Sequence, residues 1–118
     1  MTDCSVYVGS LEDPKFKWDG GDWNGNCPIA LGPRFPPMSQ HYNGDFHEWV
    51  AATGVKCKQT DYSGWVAQVT KAQILEFIAE AYKGKEDLPW VKDGLSELIE
   101  FVATLDDERI YALVANEW

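Results

Sequence analysis

Two aspartates beside two tryptophans are the first residues of this sequence whose types and spacing could carry chemistry. Asp19 and Asp22 flank a Gly-Gly pair, and Trp18 and Trp23 stand immediately outside them. Aromatic rings offer a sugar an apolar platform, and carboxylates can bind its hydroxyl groups. Two carboxylates can also divide the acid and base roles of glycoside hydrolysis. Asp and Gly are equally typical of tight turns, and we favour that interpretation.

The two histidines follow this pattern along the chain. Asp45 lies between His41 and His47, and the three side chains could in principle hold a divalent metal. Their spacing does not match the i, i+4 pair of a helix, and Asp45 is better explained as the N-cap of a short helix. We therefore predict no metal and no cofactor. The alternative function is a small-ligand or carbohydrate site, binding or hydrolytic, in the loop 16–47.

Cysteine and serine nucleophiles lack the signatures that would mark an active site. Cys27 lies in the same loop, and Cys57 is expected to point inward from a strand, between two lysines. The sequence contains neither a Gly-x-Ser-x-Gly motif nor a glycine-rich phosphate loop. The odd number of cysteines, three, without a Cys-x-x-Cys pair, predicts reduced thiols. We therefore expect a protein that is not an enzyme.

The net charge excludes several classes of partner. The 118 residues include 19 acidic and 10 basic ones, which gives a formal net charge of −9 at pH 7. Nucleic acids and anionic membrane surfaces attract Lys and Arg, so we expect neither as a partner. The sequence has no apolar run of about 20 residues and no signal-peptide pattern at its start, which predicts a cytoplasmic protein. A basic protein would instead be attracted and would associate faster.

Acidic residues are concentrated in the C-terminal part of the chain. Residues 71–118 contain eleven acidic and five basic residues. Rows at helical spacing are formed by Glu76 and Glu80 on one predicted helix and by Asp93, Glu97 and Glu100 on the next. Such a row is often no more than a solvated face. Together with six Trp and five Tyr that could anchor a contact, the rows predict a small protein-binding module, such as an immunity or inhibitor protein that neutralises a basic toxin.

The organisation of the chain changes near residue 45. Residues 9–44 hold six of the ten glycines and five of the six prolines, which leaves no room for a regular element of useful length. A disordered linker would rarely carry as many aromatic residues as this segment does. We therefore predict a long ordered loop, fastened to the domain by Phe16, Trp18, Trp23, Phe35 and Tyr42.

From residue 45 onward the pattern predicts regular elements. A short helix ends at Gly54, and strands 55–60 and 65–69 flank a four-residue connection. Thr70 and Gln73 form a capping-box pattern at the start of a second helix. The apolar residues of that helix are expected at Ile74, Leu75, Ile78 and Tyr82.

A third helix and a last strand complete the predicted domain. The apolar stripe of this helix is expected at Val91, Leu95, Leu98, Ile99, Val102 and Leu105. Strand 109–115 is apolar on both faces, which indicates a central position, and strand 6–8 is its expected neighbour. We therefore predict one α+β domain over residues 1–118. A small antiparallel or mixed sheet packs against a C-terminal helical hairpin, and the long N-terminal loop spans 9–44.

Overall fold

The structure is a computed structural model that describes residues 4–12, 28–36, 44–61 and 64–117. The strands are β1 (Cys4–Gly9), β2 (Cys57–Asp61), β3 (Gly64–Thr70) and β4 (Ile110–Glu117). The helices are α1 (Gly44–Thr53), α2 (Lys71–Ala81) and α3 (Pro89–Ala103). Each helix among the described residues is too short or too polar to span a bilayer.

The four strands form one antiparallel sheet in the order β1-β4-β3-β2. The interior strand β4 places Val114 opposite Tyr7 of β1 and opposite Val66 of β3. Residues 111–115 are all buried, because both faces of this strand are covered. The predicted central position of the last strand, and its pairing with the N-terminal strand, are confirmed.

The main core lies between one face of the sheet and the three helices. Alternate residues of the strands supply the sheet side of this core: Val6, Val8, Ala67, Val69, Tyr111, Leu113 and Ala115. The helices supply the other side: Phe46, Trp49, Ile74, Phe77, Ile78, Ala81, Val91, Leu95, Leu98 and Val102. An antiparallel sheet with helices on one face confirms the predicted α+β class.

The opposite face of the sheet carries a smaller apolar cluster. Val66, Ala112 and Val114 are fully buried there, and Tyr7 and Leu11 pack against them. The strand residues of this cluster point away from the helices because successive side chains of a strand alternate between faces. The central strands are therefore buried on both sides, which explains their continuous apolar sequence.

Two apolar residues on the helices lie outside the core, contrary to the prediction. Leu75 of α2 is 39% exposed and Ile99 of α3 is 44% exposed. A helix turns by about 100° per residue, so each of them lies beside the buried stripe of its helix rather than within it. Lys71 Nζ donates a 3.1 Å hydrogen bond to the carbonyl oxygen of Ala103, so the start of α2 lies beside the end of α3.

The start of α2 is fixed by the predicted capping box. The Gln73 N–H donates to Thr70 Oγ1 at 3.2 Å, and the Thr70 N–H donates to Gln73 Oε1 at 3.0 Å. These reciprocal bonds satisfy two backbone donors that a helix N-terminus otherwise leaves unpaired.

Helix α1 starts two residues earlier than expected. It begins at Gly44, so Asp45 is its second residue rather than its cap. The helix dipole favours an acidic residue in the first turn as well as at the cap, so the residue type does not distinguish the two positions. The predicted end is confirmed, because Gly54 adopts φ +71° and its N–H donates to the Val50 carbonyl oxygen at 2.9 Å.

Strands β2 and β3 form the predicted hairpin with a shorter connection. Residues 62–63, which lie outside the described residues, join the two strands, whereas the sequence predicted four connecting residues. The register shifts between Gln59 and Asp61, so that Asp61 still lies opposite Gly64. A bulge of this kind adds a residue to one strand and extends the pairing beyond the regular alternation.

Residues 28–36 run along the outer edge of β1. The Leu31 N–H donates to the Val8 carbonyl oxygen and the Phe35 N–H to that of Val6, each at 2.8 Å. The Phe35 ring enters the main core, and the Tyr82 hydroxyl donates to the Pro36 carbonyl oxygen. Most of the predicted loop 9–44 lies outside the described residues. That the whole loop is ordered therefore stays a prediction.

Candidate functional site

The five carboxylates predicted to bind a partner are all exposed: Glu76 and Glu80 on α2, and Asp93, Glu97 and Glu100 on α3. The structure divides them into two groups. The two α2 residues lie on the flank beside α1, whereas the three α3 residues lie opposite the buried stripe of their own helix. Only the α2 pair is brought together with a second helix.

A cleft of about 410 Å³ lies between α1 and α2, beside the point where the two helices are in contact. The described residues that line this α1–α2 cleft are Glu48, Trp49, Ala52 and Thr53 of α1 and Glu76, Glu80 and Ala81 of α2. Residues four apart lie next to each other on a helix surface, so most of the lining residues of each helix form one strip along the cleft. Three carboxylates from two helices therefore share one concave surface.

Trp49 joins this cleft to the core. Its side chain is only 6% exposed, and its ring meets the Phe77 ring edge-on, with centroids 5.4 Å apart and planes at 68°. The indole Nε1 is buried and has no hydrogen-bond partner in the described structure. A buried donor without an acceptor costs about 1–3 kcal/mol, so such groups are rare in folded proteins.

The carboxylates of the cleft and of the α3 row make no ion pair or side-chain hydrogen bond in the described part of the chain. The ion pairs there lie elsewhere: Lys71 Nζ is 3.6 Å from Asp107 Oδ1, and Arg109 pairs with Glu12. The helical side of the molecule therefore presents uncompensated negative charge to solvent. Charge of one sign in a concave surface raises the local concentration of the opposite charge.

The alternative ligand site falls almost entirely on residues that are not described. Trp18, Asp19, Asp22, Trp23 and His41 lie outside the described residues, as does Cys27. His47 is described on α1, where its ring meets the Trp65 ring edge-on with centroids 4.8 Å apart. In the described ranges, no three His, Cys, Asp or Glu side chains are grouped so that they could hold a metal ion.

The imidazole of His47 on α1 packs against two aromatic rings. Partial burial against the Phe46 and Trp65 rings lowers the pKa of His47 below its usual value of 6.5. The unfolded chain therefore binds this proton at a higher pH than the folded chain does. Stability contributed by neutral His47 is complete above about pH 6.5 and falls as the pH drops toward the folded-state pKa.

We expect His47→Gln to flatten the pH dependence of stability below about pH 6.5, because Gln carries no titrating proton. The measurement is the free energy of unfolding in urea for both proteins between neutral and mildly acidic pH. The comparison at pH 8 is the control, since the imidazole is neutral there in both states. If the free energy of unfolding changed with pH in the same way for both proteins, His47 would not have the lowered pKa described above.

Cys57 is exposed, whereas an inward-pointing residue was predicted to be buried. It lies on the edge strand β2 opposite Ala67. Desolvation by the surrounding protein nevertheless raises the pKa of the Cys57 thiol, against a smaller opposite effect of a hydrogen bond from the Lys58 backbone. The thiol is protonated at neutral pH, which is the reverse of an activated nucleophile.

Sequence reasoning missed two residues of the cleft. Glu48 and Trp49 belong to a helix that is more than twenty residues away from Glu76 in the chain. Glu48 and Ala52 stand at i, i+4, which indicates a shared face, but no spacing in the sequence shows that this face meets α2. The unpartnered indole nitrogen is visible only from the packing.

No family model, no curated protein and no solved structure matches this chain.

Proposed function

We propose that this chain is a small acidic protein-binding module that neutralises or scaffolds a basic protein. An immunity or inhibitor protein acting on a basic toxin in the cytoplasm is the natural example of the class. The observation that carries the proposal is the uncompensated charge on the helical side. Glu76, Glu80, Asp93, Glu97 and Glu100 are exposed and make no internal ion pair among the described residues.

Folding alone gives no reason for this distribution of charge. Like charges at i, i+4, such as Glu76 and Glu80, destabilise a helix by about 0.2–0.5 kcal/mol per pair. A basic partner would offset that repulsion, because its lysines and arginines would lie against the same carboxylates. Complementary charge also speeds diffusional encounter, by up to several hundredfold at low salt.

The fold supports a rigid contact surface rather than a catalytic one. The helices are held on the sheet by a continuous core that includes Phe46, Phe77 and Leu98. Preformed surfaces of this kind lose little conformational entropy when they bind. A binding module needs no nucleophile, and the protonated Cys57 thiol is of no use as one.

We expect the double substitution Glu97→Lys and Glu100→Lys to slow association with the basic partner by about tenfold at low salt and to weaken its salt dependence. Both side chains are exposed on α3, so the substitutions leave the core unchanged. The partner is first recovered from a lysate of the organism that carries this sequence, at low and at high salt. Association rates are then measured by surface plasmon resonance.

The matched control replaces two exposed carboxylates of the connection that precedes α3, Glu86 and Asp87, with lysine. That control changes the net charge equally but not at the proposed surface. Circular dichroism shows whether each variant remains folded. Equal rates for the parent chain and the α3 variant at every salt concentration would overturn the role of this row. Recovery of the chain alone, at low salt, would overturn the proposed function.

A further inference from the structure

We propose that the surface formed by α2 and α3 together binds an amphipathic helix of the basic partner. Leu75 and Ile99 are exposed apolar residues of this α2–α3 surface, and they would contact the apolar face of that helix. Glu76 and Glu100 border the same surface, and they would pair with basic side chains on the two flanks of the helix. The inference rests on the proposed function and adds the secondary structure and residue pattern of the segment that binds.

The two helices run side by side in opposite directions. The hydrogen bond from Lys71 Nζ to the Ala103 carbonyl oxygen places the start of α2 beside the end of α3. If the helices ran in the same direction, their other two ends would lie roughly 35–40 Å apart, but the connection 82–88 spans less than about 30 Å. Leu75 lies one turn after Lys71 on the same face of α2, and Ile99 lies one turn before Ala103, so both are close to this contact.

Ile99 lies on the flank of α3 that faces α2. The opposite flank of α3 packs against the segment 28–36, where Gly32 lies against the Phe101 ring. Ile99 is about 160° around the helix from Phe101, on the other side of the buried stripe. Leu75 and Ile99 are therefore neighbours across the contact between the two helices.

Both helices present the same order of residue types from their contact outward. A large apolar side chain is nearest to the other helix, small side chains follow, and a carboxylate comes last. The residues in this order are all exposed: Leu75, Ala72, Ala79 and Glu76 on α2, and Ile99, Ser96, Ala103 and Glu100 on α3. Adjacent exposed apolar side chains with a polar border mark interaction sites, whereas a single one is ordinary. A third helix fits such a surface, because its apolar residues three and four positions apart contact both helices at once.

Charge determines the kind of helix that the surface fits. A second copy of this chain would bring a net charge of −9 against the same charge and would place Glu76 and Glu100 near like carboxylates. Like charges opposed across an interface lower the affinity. A helix with lysine or arginine on both sides of its apolar face instead places opposite charge against both borders at once.

Two lysines limit the surface at its ends. Lys71 is already bonded to the Ala103 carbonyl oxygen and lies 3.6 Å from Asp107. Lys92 is exposed two turns before Ile99, on the same face of α3. Both lysines repel basic residues, so the basic side chains of the partner belong on the flanks of its helix, along the roughly three turns between the lysines.

The test uses three capped peptides of about 18 residues as probes, each held helical by a lactam bridge. The basic probe has leucines at the spacing i, i+4, i+7 and i+11 and lysines on both flanks of the leucine face. The scrambled probe has the same composition without an apolar face, and the acidic probe has glutamate in place of each lysine. Each probe is titrated into the full chain and followed by methyl ¹H–¹³C NMR of Leu75 and Ile99. We expect saturable shifts of both signals with the basic probe and more than about tenfold weaker binding of the other two.

Two pairs of serine substitutions that remove the same residue types provide the control. Leu75→Ser with Ile99→Ser should weaken the basic probe by more than about tenfold, because its leucines lose their contacts. Ile29→Ser with Leu31→Ser should weaken it by less than about twofold, because these exposed residues lie in the segment on the other side of α3. Thermal unfolding shows whether each variant folds.

The border charges are tested separately. Glu76→Gln with Glu100→Gln should weaken the basic probe by about three- to tenfold at low salt and reduce the salt dependence of its binding. Glu86→Gln with Asp87→Asn changes the net charge equally in the connection before α3, and should have less than about half of that effect on a logarithmic scale. Equal effects of the two pairs would mean that the basic probe responds only to the net charge, and would overturn the inference.

The inference is also wrong if the basic probe binds no more tightly than the other two, or if the Leu75 and Ile99 signals do not move. A dimer in sedimentation equilibrium that Leu75→Ser with Ile99→Ser dissociates would assign the surface to a second copy instead. None of these results bears on whether the whole chain captures a basic protein in a salt-dependent way. If the basic probe binds at this surface while capture fails, the proposed function is wrong and the surface still binds a basic helix. If capture succeeds and the probe does not bind, the proposed function stands and its partner binds elsewhere.

Discussion

Replacing Phe77 with alanine should lower the free energy of unfolding by about 3–5 kcal/mol, which is a large share of the stability of a domain of this size. Phe77 is fully buried in α2 and lies at the centre of an aromatic cluster. Its ring centroid is 5.4 Å from that of Trp49, 5.9 Å from that of Phe35 and 6.4 Å from that of Phe46. Truncation leaves a cavity that these rigid rings cannot fill.

Urea denaturation of the parent chain and the variant measures this loss. Leu75→Ala on the same helix is the matched control, because Leu75 is 39% exposed and its truncation should cost less than about 1 kcal/mol. Phe77→Leu, which keeps most of the volume, should fall between the two. Similar losses for Phe77→Ala and Leu75→Ala would mean that α2 buries a different face from the one described.

The buried face of α2 could be predicted from the sequence only in part. Apolar spacing identifies the helix and its general inward side, and Ile74 and Ile78 are buried as expected. Leu75 and Phe77 lie on opposite sides of the stripe formed by Ile74 and Ile78. The apolar spacing therefore fits a helix that buries either one of them. The helix is rotated so that the Phe77 flank meets the aromatic residues of α1. That choice depends on where α1 packs, which local periodicity does not contain.

The position of β4 could be predicted because its sequence is unusual. Tyr111, Leu113 and Ala115 face the helices, while Ala112 and Val114 face the other way, and all are buried. A strand that is apolar on both faces fits only an interior place in a covered sheet. The bulge in β2 could not be predicted, because no glycine or other special residue marks it.

The candidate site could also be predicted from the sequence only in part. The rows formed by Glu76 and Glu80 and by the α3 acids follow from helical spacing alone. Their separation into a cleft and an exposed row depends on the contact of α2 with α1. Trp49 could be predicted as a buried residue, but the state of its indole N–H depends on every atom around it.

Replacing Gly32 with alanine should destabilise the protein by about 2 kcal/mol, although alanine normally restricts the unfolded chain and stabilises an extended segment. A Cβ atom at Gly32 would lie 2.6 Å from two ring carbons of Phe101. Contacts that short force either the ring or the segment 28–36 to move. The segment is held by hydrogen bonds to β1, and the Phe101 ring is half-buried against the core.

Gly94→Ala is the matched control on the same helix as Phe101. Its Cβ would lie 3.1 Å from Pro36 Cγ, which is a milder contact, and alanine is about 1 kcal/mol better than glycine within a helix. We expect the contact and the gain in helix propensity to offset each other at Gly94. Thermal unfolding should therefore show a lowered unfolding temperature for Gly32→Ala and little change for Gly94→Ala. Loss of stability only at Gly32 would show that residues 28–36 are fastened to α3 through the glycine–phenylalanine contact. An unchanged or raised unfolding temperature for Gly32→Ala would show instead that this segment can lift from the helix at little cost.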